Sequence, residues 1–425
     1  MTFLTDTIRR NRRGIAVALP SVCSAHPEVL RASIMLAAQK DRAIVIEATS
    51  NQVNQFGGYT GMTPKDFAAL VFAIADEVGL SRERIVLGGD HLGPQAWRRE
   101  SAEAALAKAD AMMRAYVEAG FSKIHLDCSE GCAGEPANVD DAVSAERAAR
   151  LAAVCEEAAG PRSELEYVVG TEVPPPGGAR AGEGSGVVPT AAESAIATLD
   201  HHRRAFEARG LEAAWGRVIG LVVQPGLEFG ADHIDRLDVS VPNALSRALY
   251  SYPKLSFEAH STDYQEAEVF AELARRNFVV LKVGPALTFA YREAIYALDH
   301  IRVWLMAGTD VVPVSDVMDG LMVANDAWWR GHYAGAPDRL RLLRHFGYAD
   351  RIRYYWAQPR AREAVVVLRA SLESHDIPRP LLMQYFAPDA IRRSEDLRAR
   401  GLSPFDALVL GTIQSSLEPY FVGPD

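Results

Sequence analysis

The feature that most constrains the fold is a set of eight short apolar runs, rich in β-branched residues, that recur from residue 15 to residue 283. The runs lie at 15–19, 43–46, 84–87, 123–126, 166–169, 218–223, 254–257 and 278–283. Near-continuous apolar character, rather than alternation, is typical of parallel strands that are covered on both faces. We therefore predict eight parallel strands buried between helices.

Stretches with helical spacing of alanine and leucine separate these runs, and they include 64–78, 101–118, 144–158 and 192–208. Eight strands that alternate with helices over about 280 residues are the pattern of a (β/α)8, or TIM, barrel. An open doubly wound sheet is the alternative, but it usually has a glycine-rich phosphate turn after its first strand. Here that turn reads PSVCSAHP. The sequence predicts an α/β protein with a TIM barrel.

After residue 300 the strand pattern stops, and the remainder is rich in Arg, Trp and Tyr, as in DAWWRGHY and DRIRYYW. We predict a barrel over residues 1–300 and a C-terminal helical extension over residues 301–425 that packs on it. The proline- and glycine-rich segment 174–189 is either a disordered insertion or a mobile lid over the barrel mouth.

Composition limits the function classes. A formal net charge of −10 argues against a nucleic-acid groove or an anionic membrane surface as partner. The chain has no signal-peptide-like start and no run of about 18 apolar residues. Its four cysteines include one C-x3-C pair, Cys128 and Cys132, without a second pair, so a zinc knuckle is not expected. We expect a cytoplasmic protein with reduced thiols.

Polar residues follow every predicted strand, at the end where barrel enzymes carry their catalytic groups. They are Ser21, Cys23, Ser24, His26, Glu47, Thr49, Asn51, Asp90, His91, His125, Asp127, Thr171, Glu172, Gln224, Glu258, His260 and Lys282. One such residue is typical of a solvated loop, whereas one after every strand indicates a site. The predicted catalytic carboxylates are Glu47, Asp90, Asp127 and Glu172.

His91, His125 and His260 are the histidines within these strand ends, whereas His26 lies just beyond the first strand, in a loop. Three imidazoles that converge on the barrel axis beside carboxylates predict a site for a divalent metal, Zn²⁺ or Mn²⁺. The alternative is that each is a hydrogen-bonded core residue. Four further histidines fall in predicted helices and are interpreted as structural: His201, His202, His300 and His345.

Lys282 ends the eighth strand and suits either an imine-forming lysine or a charged binding group. The surplus of acids favours the charged role. Because loops after strands 7 and 8 of such barrels often hold phosphate, Ser261, Thr262 and Gly284 are predicted to bind it, with ordinary loop capping as the alternative. Two further residues complete the predicted substrate-binding set, Asn51 and Gln224.

Motifs for other chemistries are missing. No G-x-x-x-x-G-K-[ST] occurs, no G-x-G-x-x-G joins a strand to a helix, and no G-x-S-x-G elbow is present. These absences argue against P-loop, dinucleotide and serine-hydrolase enzymes.

Nine longer motifs carry a family resemblance. They are SVCSAHP (21–27), IEATSNQVNQFGGYTGMTP (46–64), LGGDHLGP (87–94), AGFSKIHLDCS (119–129), GTEVPPPGG (170–178), VVQPGLEF (222–229), FEAHSTDYQ (257–265), LKVGPALTFAYREA (281–294) and DRIRYYW (350–356). The chain thereby resembles, over about residues 14 to 415, the accessory, so-called non-catalytic, subunit of class II D-tagatose-1,6-bisphosphate aldolase. The resemblance implies a TIM barrel related to the metal-dependent aldolases and a role in galactitol and N-acetylgalactosamine breakdown.

The resemblance also implies site roles. Class II aldolases carry an Asp-His pair after strand 3, the Asp as proton-transfer acid/base and the His as metal ligand, and Asp90 and His91 match it. Their strand-7 metal histidine matches His260. Their glycine-rich element after strand 5 is echoed at Gly170, Glu172, Gly177 and Gly178.

One position departs from the aldolase pattern. Where those aldolases have their remaining metal histidine, after strand 6, this chain has Gln224. We predict that His125 on strand 4 takes its place. The rearranged site would bind metal without cleaving the bisphosphate.

Members of the family are described as stabilising subunits, as tagatose 6-phosphate kinases, or as 4-epimerases of D-tagatose 6-phosphate. The missing nucleotide motifs argue against a kinase, and buried charge is costly for a protein that only stabilises a partner. The first hypothesis is a metal-dependent epimerase that converts this phosphorylated ketohexose to D-fructose 6-phosphate by retro-aldol cleavage and re-addition. The second is a non-catalytic partner of a catalytic class II aldolase subunit. A homo-oligomer is compatible with either.

Overall fold

The structure is a computed structural model that describes residues 2–161, 163–171, 187–306, 311–373 and 375–424. Within these residues, eight parallel strands close into a barrel in sequence order, with the first strand paired to the last. The strands are β1 Leu19–Cys23, β2 Ile44–Thr49, β3 Ile85–Leu92, β4 Lys123–Leu126, β5 Glu166–Val169, β6 Val218–Val222, β7 Ser256–Ala259 and β8 Phe278–Val283. The predicted TIM barrel is confirmed.

The prediction was wrong for the position of the first strand. The predicted run is 15–19, whereas β1 begins only at its last residue. The apolar residues before β1 lie in a connecting segment, where the Asn11 amide donates a hydrogen bond to the Val17 carbonyl at 3.1 Å. Pro20 argues against a strand at this position, because proline has no backbone N–H to donate to a neighbouring strand and is uncommon inside sheets. The shift places Cys23 in β1 rather than in the loop after it.

The other seven strands overlap their predicted runs. β3 continues five residues beyond 84–87, and its register against β4 shifts between Gly89 and Leu92. A short antiparallel ribbon, which was not predicted, joins Glu228–Phe229 to Ile234–Asp235 after β6. The irregular end of β3 carries the Asp-His pair of the predicted site.

Helices surround the barrel and form the C-terminal part of the chain. In the described ranges they are α1 Phe3–Arg12, α2 Pro27–Lys40, α3 Pro64–Val78, α4 Ala102–Glu118, α5 Asp141–Ala159, α6 Ala192–Glu207, α7 Glu212–Trp215, α8 Ala267–Arg275, α9 Pro285–Leu305, α10 Val314–Ala324, α11 Pro337–Phe346, α12 Pro359–Glu373, α13 Arg379–Tyr385, α14 Pro388–Ala399 and α15 Pro404–Leu417. None of these helices is long and apolar enough to cross a membrane.

Local sequence explains where the barrel helices begin. Thr63 caps α3: its hydroxyl accepts from the Asp66 backbone N–H at 3.3 Å, and the Asp66 carboxylate accepts in return from the Thr63 N–H. Pro64 suits the first helical position, whose N–H has no partner within the helix. The Ser101 hydroxyl caps α4 by accepting from the Ala104 backbone N–H at 3.4 Å. Such capping contributes about 1 kcal/mol per helix.

An apolar floor closes the N-terminal end of the barrel. Leu4 and Ile8 of α1 form one buried cluster with Leu19, Val45 and Val86 of the first three strands. Removing a buried side chain of this size typically costs about 2–5 kcal/mol. The floor separates the barrel interior from solvent on that side, so the interior opens at the C-terminal ends of the strands.

The chain after β8 returns to the barrel mouth. α15 packs against α2 and α9, and the Gln414 amide of α15 donates to the Ala32 carbonyl of α2 at 3.2 Å. A 3-10 turn, Arg351–Tyr355, brings the Tyr354 ring to 4.6 Å from the ring of Tyr59, in the loop after β2. The predicted domain boundary at residue 300 falls inside α9 and stays a prediction.

Candidate functional site

A layer of buried charged side chains lies above the apolar floor. Lys123 of β4 is enclosed between Glu47 of β2 and Glu258 of β7, with Nζ 2.7 Å from Glu258 Oε2. Lys282 of β8 pairs with Glu47 Oε2 at 2.9 Å and with Asp90 of β3. No side chain in this layer is more than 6% exposed. Because an unpaired buried charge costs several kcal/mol, the layer depends on acids and lysines alternating.

Gly88 makes room for this layer. It lies beside both Glu47 and Lys123 in the registers of β2 with β3 and of β3 with β4. A Cβ at Gly88 would lie 2.5 Å from Glu47 Oε1. Only glycine therefore lets the Glu47 carboxylate cross β3 toward Lys123.

The three predicted histidines form a triangle at the C-terminal side of the layer. Ring centroids of His91 and His125 are 5.2 Å apart, those of His91 and His260 5.0 Å, and those of His125 and His260 5.2 Å. His91 has a φ of 47°, in the left-handed region that non-glycine residues rarely adopt. Such conformations cost about 1–3 kcal/mol and concentrate at functional sites.

Each of these histidines has a carboxylate partner. The pairs are His91 Nδ1 with Asp127 Oδ2 at 2.7 Å, His125 Nδ1 with Asp90 Oδ1 at 3.0 Å, and His260 Nε2 with Glu258 Oε1 at 2.9 Å. Carboxylates that hold one ring nitrogen are the usual second partners of metal-ligating histidines. Nε2 of His125 is buried and has no hydrogen-bond partner among the described residues.

Electrostatics set the protonation states of the layer. Burial would raise the pKa of Asp90, but His91 and Lys282 hold that pKa well below its usual range. The pKa of Lys282 is raised well above its usual range because Asp90 and Glu47 outweigh burial. Burial and Lys282 lower the pKa of His260 to about 3. A protonated Lys282 is not a nucleophile, so the contacts favour the predicted charged role.

Four of these side chains can hold a metal ion together. Asp90, His125, Glu258 and His260 each offer a ligand atom, and these atoms all lie within 4.8 Å of one another. His125 and His260 belong to the predicted ligand set. His91 does not belong to this tight group, which instead includes two carboxylates.

A cleft of about 630 Å³ opens onto this cluster. The predicted site residues that line it are Asn51, Asp90, His91, His260, Ser261, Lys282 and Gly284. Glu47 belongs to the charged layer beneath, and Asp127 supports His91. The predicted Glu172 lies outside the described residues, as does most of the segment 174–189.

Two predicted substrate-binding residues, Thr262 and Gln224, do not line this cleft. The Thr262 hydroxyl donates to the Lys282 carbonyl and lies 3.4 Å from the Tyr420 hydroxyl. The side-chain Oε1 of Gln224 accepts from two backbone N–H groups of its own loop, from Gly226 at 2.8 Å and from Leu227 at 3.0 Å. Both contacts are structural, and they do not favour the predicted substrate roles.

The predicted phosphate position at the start of α9 is taken by an internal carboxylate. Asp263 Oδ1 accepts from the backbone N–H groups of Gly284 at 3.1 Å and of Ala286 at 2.8 Å. Burial raises the pKa of Asp263 to about 6. The helix N-terminus therefore already has its anion, and the phosphate role of Gly284 stays a prediction that this contact does not favour.

Sequence reasoning missed three residues of the site. Lys123 begins a strand and reads as solvated, yet it is fully buried. Arg353 and Tyr354 line the cleft from the C-terminal part of the chain. Their motif, DRIRYYW, was noted for its composition, but nothing in its spacing indicates that it meets the barrel mouth.

Comparisons with known proteins agree with the fold and the motifs. Residues 4–424 match the family model described as D-tagatose-1,6-bisphosphate aldolase subunit GatZ/KbaZ-like. A protein of Agrobacterium fabrum named D-tagatose 6-phosphate 4-epimerase is 52% identical over 389 residues, 91% of each chain. A crystal structure described as a probable tagatose 6 phosphate kinase from Sinorhizobium meliloti is similar with a TM-score of 0.85 and 44% identity, covering 95% of this chain and 99% of that one.

Proposed function

The chain belongs to the D-tagatose-1,6-bisphosphate aldolase subunit GatZ/KbaZ-like family, and on that premise we propose that it is a metal-dependent enzyme that interconverts D-tagatose 6-phosphate and D-fructose 6-phosphate at carbon 4. The 52% identical relative that is named a 4-epimerase of this sugar phosphate supports the reaction. The kinase description of the similar crystal structure is not adopted, since the sequence has no nucleotide motif.

The observation that carries the proposal is the charge of the buried layer. Three carboxylates, those of Glu47, Asp90 and Glu258, pair with the two lysines Lys123 and Lys282, and a fourth, Asp127, pairs with His91. With the histidines neutral, as metal ligation requires, the four carboxylates outnumber the two lysines by two charges, which a divalent cation would balance. Without the ion, part of this excess is offset at His91, whose pKa Asp90 and Asp127 raise despite its burial. Among the described residues, Nε2 of His125 has no hydrogen-bond partner, which leaves this nitrogen available as a metal ligand at the same place.

We assign His125 and His260 as metal ligands, with His91 as the third through Nε2. Two carboxylates, Asp90 and Glu258, are within reach of the same position. A nitrogen-rich donor set of this kind suits Zn²⁺, and the carboxylates also suit Mn²⁺. When bound, the ion would polarise the carbonyl and hydroxyl oxygens of the sugar.

Asp90 is the proposed proton-transfer group. It lines the cleft, and its depressed pKa keeps it ionised at neutral pH. It accepts the proton of the C4 hydroxyl, the C4–O bond becomes a carbonyl, and the C3–C4 bond breaks with its electron pair moving toward the C2 carbonyl. The three-carbon aldehyde turns over, C3 attacks its opposite face, and Asp90 returns the proton to the C4 oxygen.

The rest of the layer holds this group in place. Lys282 pairs with Asp90 and so maintains both the charge and the position of the carboxylate. Lys123 and Glu47 support Lys282 from below. The apolar floor keeps water from entering on that side, which favours re-addition of the aldehyde over its loss.

Carbon NMR of the purified chain with D-tagatose 6-phosphate tests the proposal. We expect D-fructose 6-phosphate to form without any second protein, and Asp90→Asn to lose at least 100-fold in rate while it remains folded. Asp76→Asn, on the surface, is the matched control and should retain the wild-type rate. No conversion by the wild-type chain, or an active Asp90→Asn variant, contradicts the assignment.

The second candidate is a non-catalytic subunit that binds a catalytic aldolase, because the family description names an aldolase subunit. It predicts no conversion by the chain alone and a stable complex on mixing with the aldolase. The charged layer does not favour it, since a purely structural barrel is more stable with apolar residues at these positions.

A further inference from the structure

Two arginines of the C-terminal part meet at one tyrosine on the wall of the cleft. Cζ of Arg351 lies 4.4 Å from the centroid of the Tyr354 ring, and Cζ of Arg353 lies 4.6 Å from it. Nη2 of Arg353 also donates to the Tyr354 hydroxyl at 3.1 Å. Trp328 stacks on Tyr354 with ring planes 2° apart, which fixes the tyrosine between its neighbours.

Neither guanidinium has a carboxylate partner within ion-pair distance in the part of the chain that the structure describes. Arg351 donates from Nε to the Trp328 carbonyl, and its buried Nη1 has no hydrogen-bond partner among the residues that the structure describes. Arg353 donates from Nη1 to the carbonyls of Ala349 and Asp350. Main-chain carbonyls orient a guanidinium without neutralising it.

Two carboxylates, Asp350 and Asp263, act on Arg353 from beyond ion-pair distance, and each accepts hydrogen bonds from other groups. Tyr354, Tyr59 and Asp350 raise the pKa of Arg353 despite its burial. The Oδ2 atom of Asp350 accepts from the Thr288 hydroxyl. Burial and the neighbouring Arg353 lower the pKa of Arg351. Arg351 is buried and Arg353 is partly buried, and no carboxylate of the described residues lies within ion-pair distance of either. Adjacent cations arranged in this way favour the binding of an anion.

The pair lies where a sugar phosphate would extend from the metal cluster. Arg353 and Tyr354 line the cleft that contains Asp90 and His260. Tyr354 and Asn51 also line an adjoining cleft of about 1040 Å³, which Arg351 borders. No hydrogen bond of the Asn51 amide side chain occurs among the described residues, so its donors are available at the junction of the two clefts.

The other cationic or donor groups near the cluster are already occupied. The backbone N–H groups at the start of α9 donate to Asp263. Lys282 is held by Glu47 and Asp90 in the layer beneath. Of these groups, the two arginines are therefore the ones whose charge is least neutralised by carboxylates of the protein.

We propose that the phosphate group of the substrate binds at Arg351 and Arg353, beside Tyr354 and the amide of Asn51. Planar guanidinium groups match phosphate oxygens in paired hydrogen bonds, which a lysine does not reproduce. That the ligand is a sugar phosphate rests on the proposed function. That an anion binds at Arg351 and Arg353 does not depend on it. The C-terminal part of the chain thus completes the substrate site of the barrel.

Isothermal titration of the full-length chain tests this with three probes: inorganic phosphate, D-tagatose 6-phosphate and unphosphorylated D-tagatose. We expect Arg351→Met and Arg353→Met to weaken binding of both phosphate-containing probes about tenfold or more. Binding of D-tagatose should be unchanged. Arg330→Met is the matched control, because Arg330 is a 73% exposed arginine of the same region, and it should bind all three as the wild type does.

Folded Met variants that bind inorganic phosphate and the sugar phosphate with wild-type affinity overturn the proposal. The phosphate titration is decisive even if the chain fails to epimerise the sugar, so failure of this site and failure of the proposed function are distinguishable. Should the Met variants unfold, wild-type crystals soaked with tungstate, a phosphate analogue, provide the second test. Density between Arg351 and Arg353 supports the site, whereas density elsewhere, or none, overturns it.

Discussion

Asp127 Oδ2 lies 2.7 Å from His91 Nδ1, and both side chains are buried. The other oxygen of Asp127 accepts from the Ser129 N–H at 3.1 Å and from the Ser129 hydroxyl at 2.6 Å. These two hydrogen bonds from Ser129 fix the orientation of the carboxylate that holds the imidazole. The His91 ring is oriented with Nε2 toward the cluster, 3.7 Å from Asp90 Oδ2.

Replacing Asp127 should weaken metal binding without removing a ligand. In Asp127→Asn the amide holds the His91 ring less firmly and no longer increases its basicity. We expect the affinity for Zn²⁺ to fall 10- to 100-fold, as is typical when such a partner is lost. Competition with a chromogenic chelator measures this. Asp110→Asn, which alters an ion pair on the helical layer, should leave the affinity unchanged; equal affinities of all three proteins would count against His91 as a ligand.

Lys123 is predicted to be a stability determinant. Lys123→Met removes the cation between Glu47 and Glu258 and leaves two buried carboxylates in mutual repulsion. Breaking a buried pair in this way costs about 3–5 kcal/mol, whereas an exposed pair contributes about 1 kcal/mol or less. Urea unfolding should show that difference between Lys123→Met and the control Lys108→Met, whose partner is Glu100. A Lys123→Met protein as stable as the control contradicts the ion-pair layer.

Gly88 is predicted to tolerate no side chain. In Gly88→Ala the new Cβ meets the Glu47 carboxylate, and we expect a loss of about 1–3 kcal/mol from overpacking. Gly320→Ala is the control, because a Cβ there meets nothing within 4 Å and alanine favours helix α10. Thermal unfolding should therefore move in opposite directions for the two variants. Unchanged stability of Gly88→Ala would show that Glu47 can adopt another position.

Glu228 is predicted to make stability depend on pH. Burial raises the pKa of this glutamate from 4.5 to about 7 in the folded protein. The folded state therefore binds the proton more tightly than the unfolded state, and the associated stability is present at pH 4 and lost as pH rises through 7. Each pKa unit corresponds to about 1.4 kcal/mol.

Glu228→Gln removes that titration. At pH 8.5 we expect the variant to be more stable than the wild type by about 3 kcal/mol, and at pH 4 we expect little difference. Denaturant unfolding at the two pH values measures this. Glu266→Gln, at an exposed ion pair, is the control and should show no such crossover. A constant difference between Glu228→Gln and wild type at both pH values contradicts the shift.

The barrel and the histidine triangle could be predicted because parallel strands end on one face of a closed sheet. Any polar residue directly after an apolar run is then placed on the same rim as the others, which brought Asp90, His91, His125 and His260 together. Family motifs supplied the roles, and the family match over residues 4–424 confirms that resemblance. The roles themselves stay predictions.

Other contacts depend on packing that local sequence does not encode. Lys123 precedes an apolar run and its burial follows only from Glu47 and Glu258 on other strands. Asp263 looks like a loop residue until its contact with the start of α9 is known. Arg353 is far along the chain from the strands it faces. The spacing of apolar residues in the sequence does not predict contacts between such distant segments.

The central claim, a metal-dependent epimerase, is tested most directly by coupling metal content to turnover. We predict that the purified chain holds one divalent ion, loses conversion of D-tagatose 6-phosphate after exhaustive chelation, and regains it in proportion to added Zn²⁺ or Mn²⁺ up to one equivalent. His125→Ala should neither bind the ion tightly nor convert the sugar. Full conversion by the metal-free chain would contradict the account.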